Sequence, residues 1–362
     1  MGDEATPARA RPNLAAVAAL AGVSPSTASL AFSGSGPVSA ATRDRVLAAA
    51  AALDYAGPDP RAQSLRRGRS GIIGVVIEDR LRDAFRDPMN VAMLDGIADE
   101  TGALGAGLLL LTDNGEGAGS IQNAPVDAVV LVGCSTSLAG QVAVFRQRGI
   151  AVVAIEAEPM ENVLAIDLDN RAASHSLARH LADLGHESVA MVTLPLDVAR
   201  TRGPLTPEAE ATSTGFTASE RISGVREVFP LASGVMAAES SVDEGIVAGL
   251  ALLADPTTRP TAVVAQSDLL AVGVIRAAER LGVRVPADLS VVGFDGVKLD
   301  GIGPHELTTM VQPAVEKGRA AGRGIVALLN GEHPESVSFA SRFRLGTTTA
   351  PPAGRVPVSP NA

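Results

Sequence analysis

Residues 13 to 55 carry short apolar stripes set between capping residues, whereas beyond Gly71 whole runs of Val, Ile and Leu alternate with amphipathic stretches. In the first region Asn13 stands as an N-cap before Leu14, Val17, Ala18 and Ala21, which recur at helical spacing. Gly22 permits a tight connection. Ser24 is the next cap, and Pro25 takes the first helical position, where a missing N–H costs nothing. Ala28 and Phe32 then share an inward face, while Pro25 with Ser29 and Ser26 with Leu30 fall on faces open to a partner. After the Ser33–Pro37 turn, Ser39 caps a third helix whose Val46, Ala50 and Leu53 close the core, with Tyr55 just beyond. Such a unit has the form that lays its second helix in the major groove of DNA.

The second region predicts strands at Ile72–Ile77, Leu108–Leu111, Ala128–Val132, Val152–Ile155, Val189–Thr193, Val235–Ala238, Ala262–Ala265 and Ser290–Phe294. Helices are expected near 90–103, 138–148, 170–184, 218–229, 243–253, 268–281 and 314–329. Continuous apolar strands separated by helices indicate an α/β architecture of parallel, doubly wound sheets covered on both faces. Length, and a break near Gly185-His186, point to two lobes. The expected division is a helix-turn-helix head over 11–57, a hinge helix or linker over 58–70 and a core over 71–350. Lobe 1 is placed at 71–187 and 308–331, lobe 2 at 188–307 and 332–350, with a disordered tail over 351–362.

The linker opens Gly57-Pro58-Asp59-Pro60, so that Asp59 can cap a helix running to Gly68. A helix this short is marginal alone and needs a partner to form. Arg61, Arg66, Arg67 and Arg69 surround Leu65, a side chain able to wedge between base steps in the minor groove.

The whole-chain net charge of −10 argues against nucleic acid until it is partitioned. Residues 1–70 hold eight arginines against five acids (+3), and the remainder holds 22 basic and 35 acidic groups (−13). Positive charge is thus concentrated where the helical unit lies. The single cysteine, Cys134, excludes an internal disulfide framework. No apolar run reaches membrane-spanning length and no signal-like stretch opens the chain, so a cytoplasmic location is expected.

Ligands of open parallel sheets bind beyond the strand carboxyl ends. Polar groups stand at those ends: Asp79, Ser135 with Thr136, Asp167 and Asp169, Gln266-Ser267-Asp268, and Asp295 after Phe294. Arg221 opens a helix after the irregular stretch Pro195–Gly215. Carboxylates with an arginine suit a small polar ligand such as a sugar or nucleoside. No P-loop, HExxH or G-x-S-x-G turn is found, the five histidines form no metal pattern, and no catalytic residue, metal or cofactor is expected.

In combination these features resemble the lactose-repressor (LacI/GalR) family of bacterial transcription regulators over residues 13–350. The resemblance rests on Ala21-Gly22-Val23-Ser24, Thr27-Ala28-Ser29, Val38-Ser39-Ala40-Ala41-Thr42-Arg43, Leu53-Asp54-Tyr55 and Pro60–Leu65 in the head and hinge. In the core it rests on Asp87-Pro88-Met89, Asp169-Asn170, Leu184-Gly185-His186, Arg221 with Gly224, Ser267-Asp268 and Ser290–Asp295. It implies a homodimer on a near-palindromic operator, a repressor whose DNA affinity follows an effector held between two core lobes. It also implies base contacts at Pro25, Ser26 and Leu30, phosphate contacts at Asn13, Ser24, Thr27 and Ser39, and Leu65 as the wedge. Arg221 and Asp295 would contact the effector, with Asp268 nearby. Three departures stand out: Leu30 and Pro25 where arginine and a larger side chain are common, a hinge one residue longer between Tyr55 and Ala62, and no tryptophan for stacking a sugar. The competing reading is a small-molecule binding protein with no regulatory role.

Overall fold

The computed structural model describes residues 12–34, 36–57, 64, 68–77, 85–112, 121, 123–133, 138–298 and 303–353. It divides into two compact units, Met1–Ser70 and Gly71–Ala362.

In the first unit, α1 (Leu14–Ala21), α2 (Pro25–Ser33) and α3 (Ala40–Ala52) surround a core of Val17, Ala18, Ala28, Ala31, Val46, Ala49 and Ala50. Alanine dominates that list because small side chains let three short helices approach closely enough to exclude water. Leu14, Phe32, Leu53 and Tyr55 seal the rim, with the Phe32 and Tyr55 rings edge to face at 5.7 Å. Gly22 adopts φ 65°, the left-handed conformation a glycine takes without strain, and lets α2 leave α1 at 101°.

The second unit holds two sheets. The first comprises β1 (Ile72–Ile77), β2 (Gly107–Thr112), β3 (Ala128–Val132), β4 (Ala151–Ile155), β5 (Leu164–Leu168) and β12 (Val337–Phe339). Its order is β12-β5-β4-β3-β1-β2, all parallel. Alternation divides each strand: Ile73, Val75 and Ile77 face Met93, Ile97 and Ile325, while Val76 joins Phe145 and Val142 on the other side. The covering helices are α4 (Pro88–Thr101), α5 (Leu138–Gln147) and α11 (Ala314–Leu329). A Cβ at Gly96 would lie 2.1 Å from the Val315 carbonyl, so only glycine permits the α4–α11 approach.

The second sheet has the order β13-β11-β10-β9-β6-β8-β7. Its strands are β6 (Val189–Thr193), β7 (Gly203–Pro204), β8 (Ser233–Met236), β9 (Ala262–Ala265), β10 (Ser290–Asp295), β11 (Thr308–Val311) and β13 (Arg342–Arg344). Helices α6 (Asn170–Leu184), α8 (Phe216–Arg226), α9 (Val242–Leu253) and α10 (Asp268–Arg280) cover it. The eight expected strands and seven expected helices of the core all occur, with ends shifted by a residue or two in most.

The lobe boundaries differ from expectation. Helix α6 packs Ala173, Leu177 and Leu181 against the second sheet, so the chain crosses at Asp169 and the break at Gly185 is only a helix end. It returns after Val311 rather than after Leu307, because Thr308–Val311 pairs with β10. Val337–Phe339 pairs with β5 of the first sheet, so the final crossing falls near Ser341. Short strands at chain crossings lack the long apolar runs that made the others readable. The stretch Pro195–Gly215 is also more regular than expected: it contains β7 and α7 (Pro207–Ala211), braced by Arg202–Glu244 and Arg226–Glu210 ion pairs.

Candidate functional site

The head presents three capped helix starts. Asn13 Oδ1 accepts from the Ala16 amide at 2.9 Å, Ser24 Oγ from Thr27 at 3.1 Å and Ser39 Oγ from Thr42 at 3.3 Å. Ser24 Oγ also lies 2.8 Å from Ser26 Oγ and 2.9 Å from Thr27 Oγ1, which ties the start of α2 into one hydroxyl cluster. Pro25 and Ser26 are exposed. Leu30 is 37% exposed, and its Cδ2 would lie 3.2 Å from a Cβ built on Gly36, so the turn supports one side of the leucine. The open face of α2 is therefore apolar and hydroxyl-bearing, with no bidentate donor for a guanine edge. Arg61 and Leu65 lie outside the described residues.

In the core, a cavity of about 150 Å³ is lined from both lobes. The first contributes Asp87, Asn90 and Glu156, the second Arg221, Ser267 and Asp295, and the crossing segment Gln312. The strand-end rule is obeyed: Glu156 follows β4, Ser267 follows β9 and Asp295 ends β10.

Arg221, 3% exposed, is the centre of this site. Its Nε donates to Asn170 Oδ1 at 2.8 Å and its Nη1 to the Gln266 carbonyl. The guanidinium carbon lies 3.7 Å from the centroid of the Phe294 ring, a cation–π contact that supports it from beneath. Two carboxylates face it without closing: Glu156 Oε2 at 3.6 Å and Asp295 Oδ1 at 3.8 Å. Gln266 holds the surrounding backbone, its Oε1 accepting from Leu194 N at 2.9 Å and its Nε2 donating to Ala218 O at 3.0 Å. Glu156 and Asp295 both take positive φ, 54° and 122°, conformations that a non-glycine residue keeps only under constraint.

The two carboxyls titrate in opposite directions. Burial pushes Glu156 up, but the charges of Lys317 and Arg221, with hydrogen bonds from Lys317 and Asn170, bring it below its usual range. Burial raises Asp295 well above the carboxylate range; Arg221 opposes this, and Asp268, Asp87 and Glu156 add to it.

Several expected residues stand elsewhere. Asp268 is fully buried behind the site, accepting from Gly296 N at 2.8 Å, Val297 N at 3.0 Å and Thr309 Oγ1 at 2.6 Å. Burial raises its carboxyl to about 7, against those three hydrogen bonds. Phe294 is likewise buried, touching the cavity only through Arg221. Asp169 borders an adjoining hollow of about 280 Å³ that shares Glu156 and Phe216 with the cavity, and its Oδ1 accepts from Ser341 N and Oγ, both at 2.8 Å. That carboxylate staples two chain crossings, so it is not a wall of the ligand cavity. Asp79 and Ser135 lie outside the described residues. Glu156, directly after β4, was open to the strand-end rule; Gln312 was hidden by the unrecognised β11. Phe216, at the start of α8, lines the cavity and supplies an aromatic face. Among the described residues, no group of three or more His, Cys, Asp or Glu could hold a metal, and no single helix is long and apolar enough to cross a membrane.

A three-helix DNA-reading head and a two-lobed core with a buried polar cavity define a ligand-responsive DNA-binding protein as the class. Residues 13–57 match the bacterial regulatory proteins of the lacI family, and residues 178–345 match the periplasmic binding protein-like domain. An HTH-type transcriptional regulator of Mycobacterium tuberculosis is 33% identical over 359 residues, covering 95% of this chain and 99% of that one. The crystal structure of a LacI-family regulator from Corynebacterium glutamicum superposes with a TM-score of 0.69 at 28% identity, covering 93% of this chain and 98% of that one. The lac repressor dimer bound to operator and the anti-inducer ONPF shares the fold, with a TM-score of 0.74 at 23% identity over 94% of this chain and 99% of that one. The chain belongs to the lacI family and is a DNA-binding transcription regulator. The alternative of a binding protein with no regulatory role is thereby set aside.

Proposed function

We propose that the protein is a cytoplasmic, homodimeric repressor that binds a near-palindromic operator and responds, by binding rather than catalysis, to a small hydroxylated effector. The observation that carries the effector reading is Arg221: a buried guanidinium, locked on Asn170, Gln266 and Phe294, facing a cavity with both carboxylates beyond hydrogen-bonding distance. The cavity is smaller than the roughly 300–1,000 Å³ of drug-sized sites, which favours a compact metabolite. Asp87, Asn90, Ser267, Asp295 and Gln312 supply donors and acceptors suited to hydroxyls, and Phe216 a single stacking face.

In the head, Asn13, Ser24, Thr27 and Ser39 mark helix starts able to receive phosphates. Pro25, Ser26 and Leu30 offer apolar and hydroxyl contacts to base edges, including the thymine methyl. Arg61 and Leu65 would add the minor-groove contact. An effector alters operator affinity only through its differential affinity for the two core states, and DNA alters effector affinity reciprocally. The test joins genome-wide footprinting of the bound sites to a thermal-shift screen of the metabolites handled by the neighbouring genes. A metabolite that stabilises the core and shifts operator affinity is the expected result. Genomic binding with no responsive metabolite would remove the effector reading; no discrete bound sites would remove the operator reading.

A further inference from the structure

Lys317 lies in the first turn of α11 with 0% of its surface exposed. Removing an ammonium from water is unfavourable unless its donors find strong acceptors. Here they find Glu156 Oε1 and Gln312 Oε1. The second bond has a chemical consequence. Lysine only donates, so Gln312 must turn its oxygen toward Nζ, and its amide nitrogen then faces Asp295 Oδ1 at 2.6 Å. One ammonium therefore commits a carboxyl on each lobe: Glu156 after β4 of the first sheet directly, and Asp295 at the end of β10 of the second through the amide on the crossing segment.

Both are the carboxyls that flank Arg221. A carboxylate free to choose would close on a guanidinium as a bidentate pair. Glu156 Oε2 remains at 3.6 Å and Asp295 Oδ1 at 3.8 Å: the lysine chain holds Glu156 by Oε1 and Asp295 by Oδ1, while Glu156 Oε2 accepts from Asn170 Nδ2 at 2.8 Å. We propose that Lys317 is the positioning residue of the ligand cavity: its ammonium holds Glu156, and through Gln312 Asp295, off Arg221, leaving guanidinium N–H groups directed into the cavity. The significance of this device rests on the effector reading of the cavity; its geometry does not. Because Glu156 and Arg221 belong to different lobes, a change in lobe closure would alter their spacing directly, whereas Asp295, on the same lobe as Arg221, would feel it through Gln312.

The full chain tests it without any ligand. The charged or titratable groups facing Glu156 are Lys317, Arg221, Asp167 and Asp295. Lys317→Met keeps the length and apolar stem but strands Glu156 beside Arg221 alone. It should lower the melting temperature by about 5–10 °C near neutral pH, the scale expected for a lost buried ion-pair partner. The deficit should be smaller at acid than at neutral pH, because a Glu156 deprived of its ammonium binds a proton more readily than in the parent protein. Adding Glu156→Gln should restore at least half of the loss, and a crystal structure of Lys317→Met should show Glu156 closed on Arg221. A deficit equal at both pH values and unrelieved by Glu156→Gln would assign Lys317 to packing only and overturn the proposal. So would a Lys317→Met structure with the 3.6 Å separation intact. If Lys317→Met fails to fold, folding of the double variant supports the proposal and its failure overturns it. None of these readouts involves an effector, so a mistaken effector reading would leave them unchanged.

Discussion

The head and the core solve the problem of placing polar groups in opposite ways. In the head every functional cap bonds an amide three residues ahead, as Asn13 does with Ala16 and Ser24 with Thr27. In the core the partners are far apart in the chain: Lys317 and Glu156 are 161 residues apart, Arg221 and Asn170 51. Head groups also stay solvated, where each is worth little alone and the sum is electrostatic and screened by salt. Core groups are dry, so each unmet partner carries a heavy penalty. A face that must meet a large charged partner can be built from many weak local features. A cavity that must discriminate among small ligands needs a few strong ones, held by the whole fold.

The sharpest separation of the two regions should come from salt. Operator affinity should fall by about a thousandfold or more between 50 and 200 mM salt if 6–10 phosphates are contacted, measured by fluorescence anisotropy on an operator duplex. A salt-insensitive complex would break the account of the head. Next in size, Arg221→Ala leaves Glu156 and Asp295 without their shared cation and should destabilise the core by about 3–5 kcal/mol, read by urea unfolding. The same variant should lose effector response while keeping the salt slope of operator binding; an altered slope would mean that the regions are not separable in this way. Ser24→Ala removes one exposed cap and should cost about 1 kcal/mol of head stability, read by the lower melting transition. No loss would show that the cap is idle.

The last contrast lies in pH dependence. The folded carboxyl of Asp268 sits at about 7, above its ordinary value of 3.8. Its contribution to stability is therefore fully present below the ordinary value and is lost as pH rises through about 7. Thermal unfolding of the core between acid and neutral pH should show that decline, and Asp268→Asn should flatten it. An unchanged slope would move the titration to another group.

Much of this molecule was legible in one dimension, and the head most of all. Caps, the turn glycine and the proline at the first helical position are local statements, so α1, α2 and α3 fall where they were expected. The long buried strands and their helices were equally readable, because burial on both faces demands unbroken apolar runs. Strand-end logic brought Ser267 and Asp295 into the cavity, and the irregular stretch before its helix singled out Arg221, but the same strand-end logic also nominated Asp169 and Asp268. A carboxylate at a strand end looks the same in sequence whether it meets a ligand, a serine on another crossing or two backbone amides. Lys317 carried no signal at all, since a lysine on an amphipathic helix reads as a solvent-facing residue. Its burial follows from α11 crossing back to the first lobe behind Glu156, which depends on where the short strand Thr308–Val311 pairs. The sequence by itself determined the elements, the partner of the head and the edge of the sheets where a ligand cavity would lie. Only the tertiary structure decided which carboxylates face that cavity, because hydrogen bonds between residues far apart in the chain are set by sheet order and chain crossings.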